Sequence, residues 1–273
     1  MCIIAFSNCK KVFKKIITFV CILEWARSIL PEGNRLKQNF YAAKSMMKPL
    51  GLGYQKIDMC YNFCMLYYLE NAELTECMTC GHSRYKPKTR RGKTLVAYKK
   101  LRYFPITPRL QRLFMSPRTV EHMTWHQSHH AVDEVMVHPS DGEAWKHFNS
   151  VHPHFSAESR NVCLGLCTDG FNPFGSFDAP YSCWPVILTV YNLPPGMRPK
   201  FMFLSMVIPG PSSPGRNRDV CLHLLIDELT QLWSSGVLTY DMSRKHNFVM
   251  RAALMWTIND FPAYGMLGAR MGN

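Results

Sequence analysis

Residues 161–175 read NVCLGLCTDGFNPFG: a β-prone run that stops at Asp169, followed by the glycine, asparagine and proline of a turn. Two more apolar, β-prone runs follow, WPVILTVY at 184–191 and FMFLSMVI at 201–208. They are separated by the turn LPPGM at 193–197, and Pro209-Gly210-Pro211 closes the second. Across 219–233 (DVCLHLLIDELTQLW), Val220, Leu224, Leu225, Leu229 and Leu232 recur at helical spacing, and Asp219 stands where an N-cap belongs. FVMRAALMWTI at 248–258 is a long apolar run, strand or buried helix, ended by Asn259, Asp260, Phe261 and Pro262. Three strands, a helix and a further apolar element give an α/β class for this part of the chain. One aspartate closes the first strand and another follows the last element.

Upstream, composition divides the chain into further segments. Residues 1–50 mix lysines with apolar residues and read as a helical leader. The N-terminal stretch is an amphipathic helix or a leader rather than a signal peptide, because its apolar part follows the lysines and no small-residue cleavage pattern comes after it. Residues 51–105 form a cysteine-rich, basic module, 106–160 a connecting histidine-rich segment, and 161–273 the α/β core. The whole chain has 273 residues, 47% apolar and 12% aromatic, which excludes a wholly disordered polymer. No apolar run approaches the ~20 residues of a membrane helix. With 32 Lys+Arg against 19 Asp+Glu the net charge is +13, which favours a polyanionic partner, nucleic acid before an anionic membrane surface. Eleven cysteines, an odd number, speak against a secreted disulfide scaffold.

Four groups of residues could carry chemistry. Cys60 and Cys64, then Cys77 and Cys80, are two close pairs a dozen residues apart, with Gly81 placed for a tight turn. That spacing suits a structural Zn2+ whose four thiolates fill the coordination shell; the plain alternative is four buried thiols. Lys86, Lys88, Arg90, Arg91, Lys93, Lys99, Lys100 and Arg102 form a basic run fit to neutralise phosphates, with Tyr85, Tyr98 and Tyr103 interleaved to stack on bases. A solvated loop or a nuclear-localisation signal has the same composition. His122, His126, His129, His130, His138, His147, His152 and His154 crowd one span, but their spacing selects no coordination geometry, even though His122 and His126 would share a helix face. Lastly, Asp169 and Asp260 match the layout of ribonuclease-H-like folds, in which the first and fourth strands each present an aspartate at one sheet edge to hold Mg2+ (or Mn2+). Taken singly, an aspartate before glycine is most often a turn residue, and Asp260 suits a helix stop.

Longer strings carry a resemblance. CTDGFNPFG (167–175), YSCWPVILTVYNLPPGM (181–197), FLSMVIPGPSSPGRNRDVCLHLLIDELTQLW (203–233) and RAALMWTINDFPAYGMLG (251–268) resemble the CACTA (En/Spm-type) transposases of plants. So do LPEGNRLKQNFYAAKSMMKPLGLGYQKIDMCYNFCMLYY (30–68), ECMTCGHSRYK (76–86), LRYFPITPRLQRLFMS (101–116) and HPSDGEAWKHFNSVHPHF (138–155). The first ~30 residues lie outside the likeness. The resemblance implies a nuclear, cut-and-paste DNA transposase with a ribonuclease-H-like core, acting on transposon ends, generally with other subunits. It places the first catalytic aspartate at Asp169 and the second at Asp260, and it matches the family's zinc-like pattern to the four cysteines. The family's third acid, normally a glutamate, has no assignable position here, which makes the core incomplete and this chain an expected inactive fragment. Glu228 is a remote candidate, more simply an exposed helix acid. A transposon-derived DNA-binding protein or repressor without catalysis is the alternative.

Overall fold

The computed structural model describes residues 42, 45, 53–87, 94–129, 135–172 and 181–258. The leader, apart from two helical positions, lies outside them, as do Lys88, Arg90, Arg91, Lys93, His130 and Asp260.

Strand β4 (Val162–Thr168) is the apolar run with which the sequence reading begins. It pairs antiparallel with β5 (Trp184–Val190), and β5 pairs antiparallel with β6 (Met202–Ile208). The bounds fall within a residue of the expected ones because each run is apolar on both faces and bracketed by turn residues. Helix α5 (Arg218–Ser234) follows β6, and its buried apolar positions are Cys221, Leu222, Leu224, Leu225 and Leu232. It starts earlier than the sequence implies: the chain enters through a 3-10 turn at Gly215–Asn217, Asn217 is the N-cap, and Asp219 sits in the first turn, where the helix dipole favours a carboxylate.

The run 248–258 is not one element. It divides into β8 (His246–Met250) and β9 (Ala252–Ile258). β8 closes a separate hairpin with β7 (Val237–Asp241), whereas β9 lies parallel to β4. Arg251 is the crossing point: its N–H donates to Asn161 Oδ1 at 2.9 Å, and Val162 N–H donates to its carbonyl at 2.8 Å. A register shift between Leu164 and Gly165 interrupts the β4–β9 ladder. Gly165 is needed there because a Cβ would come within 2.4 Å of the Tyr191 ring.

The cysteine-rich segment extends the same sheet. β1 (Gln55–Met59) pairs antiparallel with β2 (Leu66–Tyr67) and with β3 (Lys99–Tyr103), and β3 pairs antiparallel with β6. The full order is β2-β1-β3-β6-β5-β4-β9, so residues 55–103 and 162–258 share one sheet across the boundaries drawn from composition. Helices α1 (Thr107–Met115), α2 (Trp125–Ser128), α3 (Glu143–Val151) and α4 (Pro153–Ser156) complete the described helices.

Alternation along β4 divides the core. Val162, Leu164 and Leu166 join Leu101, Leu110, Phe114, Leu188, Met206 and Leu225 on the face covered by α1 and α5. Cys163 joins Trp145, Phe155, Tyr191 and Ala253 in a smaller cluster with α3 and α4. Each large side chain removed from water contributes about 1.5–3 kcal/mol, so the first cluster dominates stability. Two buried asparagines tie the layers. Asn192 Oδ1 accepts from Cys163 N–H at 2.8 Å, and its amide donates to Met123 O and Asn161 O at 3.0 and 2.8 Å.

Candidate functional site

The four cysteines converge. Cys60 follows β1 directly, and its N–H donates to Met65 O at 3.0 Å while Phe63 N–H returns to Cys60 O at 3.0 Å, closing a tight first loop. Phe63 takes the left-handed conformation there, with φ of 61°. In the second loop Gly81 N–H donates to Cys77 O at 2.8 Å and Cys77 N–H to His82 O at 3.0 Å, with Gly81 at φ 66°. The four sulfur atoms lie within 4.8 Å of one another, Cys60 and Cys80 Sγ at 3.5 Å. Zn–S bonds of about 2.3 Å put tetrahedral sulfurs about 3.8 Å apart, so the donor set fits zinc in type and spacing. Among the described residues this is the one group of His, Cys, Asp or Glu gathered closely enough to hold a metal ion.

The thiols are not equivalent. The His82 backbone N–H and the Asn62 amide draw the Cys80 thiol down to about 6, making it a ready thiolate at neutral pH. Burial pushes Cys64 up to about 12 and raises Cys60 too. Arg84 braces the loops: it pairs with Asp58 at 2.9 Å, donates to Ala72 O at 2.6 Å and Leu74 O at 3.1 Å, and stacks between Tyr67 and Tyr85.

The basic run divides by strand pleat. Lys100 and Arg102 point outward from β3, and Lys86 is exposed. Lys99 does not belong to the phosphate-facing set: it is 5% exposed, its ammonium sits 3.3 Å from the Phe63 ring centroid and 5.1 Å from that of Tyr61, and burial pulls it down to about 8. Lys99 alternates with Leu101 and Tyr103, the apolar face of the strand, a signal already present in the sequence. Tyr103 is likewise no stacking residue. It is buried, and its hydroxyl donates to Leu224 O at 3.2 Å and to Glu228. Tyr98 packs edge-on against His82, which stacks on Tyr61 at 4.9 Å.

Glu228 is half-buried and hydrogen-bonded rather than an exposed helix acid. Its carboxylate accepts from Tyr103 Oη and from the N–H groups of Ile106 and Thr107 at 3.0 and 2.8 Å, capping α1 from a distant part of the chain. The histidines disperse. His122 is exposed on a 3-10 turn, while His126 and His138 are buried around Trp145. Burial draws both of these down to about 4.

Asp169 follows β4 and is half-buried. The ladder continues past it in the same register, from Thr168 opposite Val186 to a bridge between Phe171 and Cys183. On the other side of β4, the parallel ladder ends with Cys167 opposite Ile258. Asp169 is two residues beyond Cys167, and Asp260 is two residues beyond Ile258 in the chain.

A family model described as transposase family tnp2 matches residues 133–273, just over half of the chain. No curated protein and no solved structure matches. Among the described residues no helix is long and apolar enough to cross a membrane.

Proposed function

The chain belongs to transposase family tnp2, and from that premise we propose that it is a DNA transposase of the CACTA (En/Spm) kind, with a ribonuclease-H-like core and an acidic metal site at Asp169 and Asp260. The strand arrangement β6-β5-β4-β9 carries this reading. Three antiparallel strands, a helix and a fourth strand parallel to the first are the opening elements of that core. A parallel neighbour brings the end of β4 and the end of β9 to the same end of the sheet, with Cys167 opposite Ile258 as the last pair. Carboxylates two residues beyond each member of that pair are hard oxygen donors suited to Mg2+ or Mn2+. Such ions activate water and stabilise the leaving oxygen of a phosphodiester. Asp169 lies between two backbone pairings of one register, Thr168 with Val186 and Phe171 with Cys183, which fix its backbone on both sides.

The four-cysteine cluster serves as a structural Zn2+ site, because four thiolates leave no open position for water. Lys86, Lys100 and Arg102 hold the phosphates of transposon-end DNA, which sets the place of action in the nucleus, with further transposase subunits on the paired ends.

The test is Mg2+-dependent nicking of a plasmid carrying the element's ends. Nicking that Asp169→Asn abolishes, with DNA affinity unchanged, establishes catalysis at this site and overturns the expectation of an inactive fragment. An intact chain that binds the ends without nicking refutes catalysis and establishes the DNA-binding alternative. Zinc content of the purified chain is read in parallel; absence of bound zinc refutes the structural-metal reading.

A further inference from the structure

Strand direction fixes where the four-cysteine loops stand. β4 runs toward Asp169. β5 begins at that end, with Val186 opposite Thr168, and β6 finishes there, with Ile208 opposite Trp184. β3 begins there, since Arg102 faces Val207 and the strand starts beyond it, and β1 finishes there, with Met59 opposite Lys99. Cys60 is the next residue. The first cysteine loop therefore leaves the sheet at the same end as Asp169. It is fastened to the start of α5, which follows β6 at that end. Asn217 Nδ2 donates to Asn62 O at 3.2 Å, and Cys221 Sγ lies 3.4 Å from Met59 Sδ.

Exposed groups at this end suit a duplex. Tyr61 is 44% exposed and Asn62 is exposed at the loop tip. Residues 84–86 pair with 96–98 just before β3, which places exposed Lys86 beyond the sheet end; Lys100, further along β3, pairs with Asp58 at 3.4 Å. The loop is a fixed flank of the acidic end and not a tethered arm, because β1, β3 and α5 all hold it.

We infer that the first cysteine loop and Asp169 engage the same DNA duplex about six base pairs apart, an inference that rests on DNA being the substrate. From β4 to β1 there are four strand-to-strand steps, through β5, β6 and β3. At about 4.8 Å each these span about 19 Å, and twist between neighbours opens the distance between strand ends slightly, to about 20 Å. Duplex DNA rises about 3.4 Å per base pair, so that distance covers about six pairs, a little over half a turn. The protein thus reads the duplex at a set offset from the phosphate it cuts.

The test places the photo-crosslinking residue p-benzoylphenylalanine at both Tyr61 and Phe171 of the full chain, each an aromatic for an aromatic. The chain is irradiated on a mixed-sequence duplex several turns long, and both adducts are mapped on the same duplex. The expected separation peaks at about six base pairs. Separations without a maximum, or centred a full turn or more apart, overturn the inference. Adducts from only one position also overturn it, while leaving DNA as the substrate. No adducts from either position overturn the substrate reading and the inference with it. Asn62, exposed on the same loop, is a second crosslinking position, and it must give the same offset.

Discussion

Removing the Glu228 carboxylate should destabilise the protein, and more than its place on a helix surface implies. Glu228→Ala leaves three donors without their acceptor: the Tyr103 hydroxyl and the N–H groups of Ile106 and Thr107. The two backbone groups are among the first of α1, which no intrahelical carbonyl can satisfy. Ile106, the N-cap, makes no side-chain cap of its own, so Glu228 is the cap. Hydrogen bonds to a charged acceptor are worth about 1.5–3 kcal/mol each, and a carboxylate at a helix N-terminus adds a few tenths. Water can reach part of the site once the side chain is shortened, which brings the expected loss to about 3 kcal/mol. Glu228→Gln keeps one acceptor oxygen and loses the charge, so about 1.5 kcal/mol is expected. In urea, with a slope of about 3 kcal/mol/M, the midpoints fall by about 1 M and 0.5 M. The assay is urea unfolding at pH 7 with an unchanged slope required. A shift for Glu228→Ala below about 0.3 M refutes the capping argument. A metal ligand would behave oppositely, because deleting it relieves carboxylate repulsion in the metal-free protein and costs metal affinity instead.

The buried pair His126 and His138 should make the protein acid-sensitive above the carboxylate range. Both are held down to about 4 in the folded state against about 6.5 unfolded, chiefly by burial, so the neutral forms are the native ones. The stability this gives is complete above about pH 6.5 and is lost as pH falls toward 4, about 2 kcal/mol per histidine by pH 5. Urea midpoints at pH 7.5, 6 and 5 check it, and a flat profile across that range would sink it. The two faces of β3 should separate in a salt titration of DNA binding. Lys100→Ala and Arg102→Ala each lower the slope of log affinity against log salt by up to about 0.9, whereas Lys99→Met leaves it unchanged. An equal effect from Lys99→Met would mean that its ammonium reaches solvent.

The parts of the fold legible in the sequence are those whose apolar residues form continuous runs or recur at helical spacing. β4, β5, β6 and α5 need only hydrophobic runs and turn residues to be recognised. β1 and β3 were hidden because QKIDM and KKLRY carry charges on their outward positions. A charge-dense stretch reads as a basic run, although period-2 alternation with Ile57, Met59, Leu101 and Tyr103 was there to be seen. The split of 248–258 was not visible, because Arg251 marks a crossing between sheets only once Asn161 is beside it. The cysteine spacing was legible because close pairs on turns need no distant partner. The roles of Glu228, Asn161 and Asn192 depend on contacts far apart in the chain, and no local pattern announces those.

Sorting the lysines by pleat also links the cysteine loops to the sheet. A zinc ion with four thiolates carries a net charge of −2, and a low-dielectric surround makes that charge costly unless a cation is near. Were zinc bound there, Lys99 would supply that cation. It is buried and set over the Phe63 ring of the first loop, a position that suits no phosphate contact. Its backbone lies in β3, between β1, which leads into Cys60, and β6, which leads into α5. Loading the site would therefore tighten the attraction between the first loop and the strand that carries Lys100 and Arg102. Metal occupancy and the placement of the proposed DNA-facing cations would then be coupled, because neighbouring residues of a single strand would serve both.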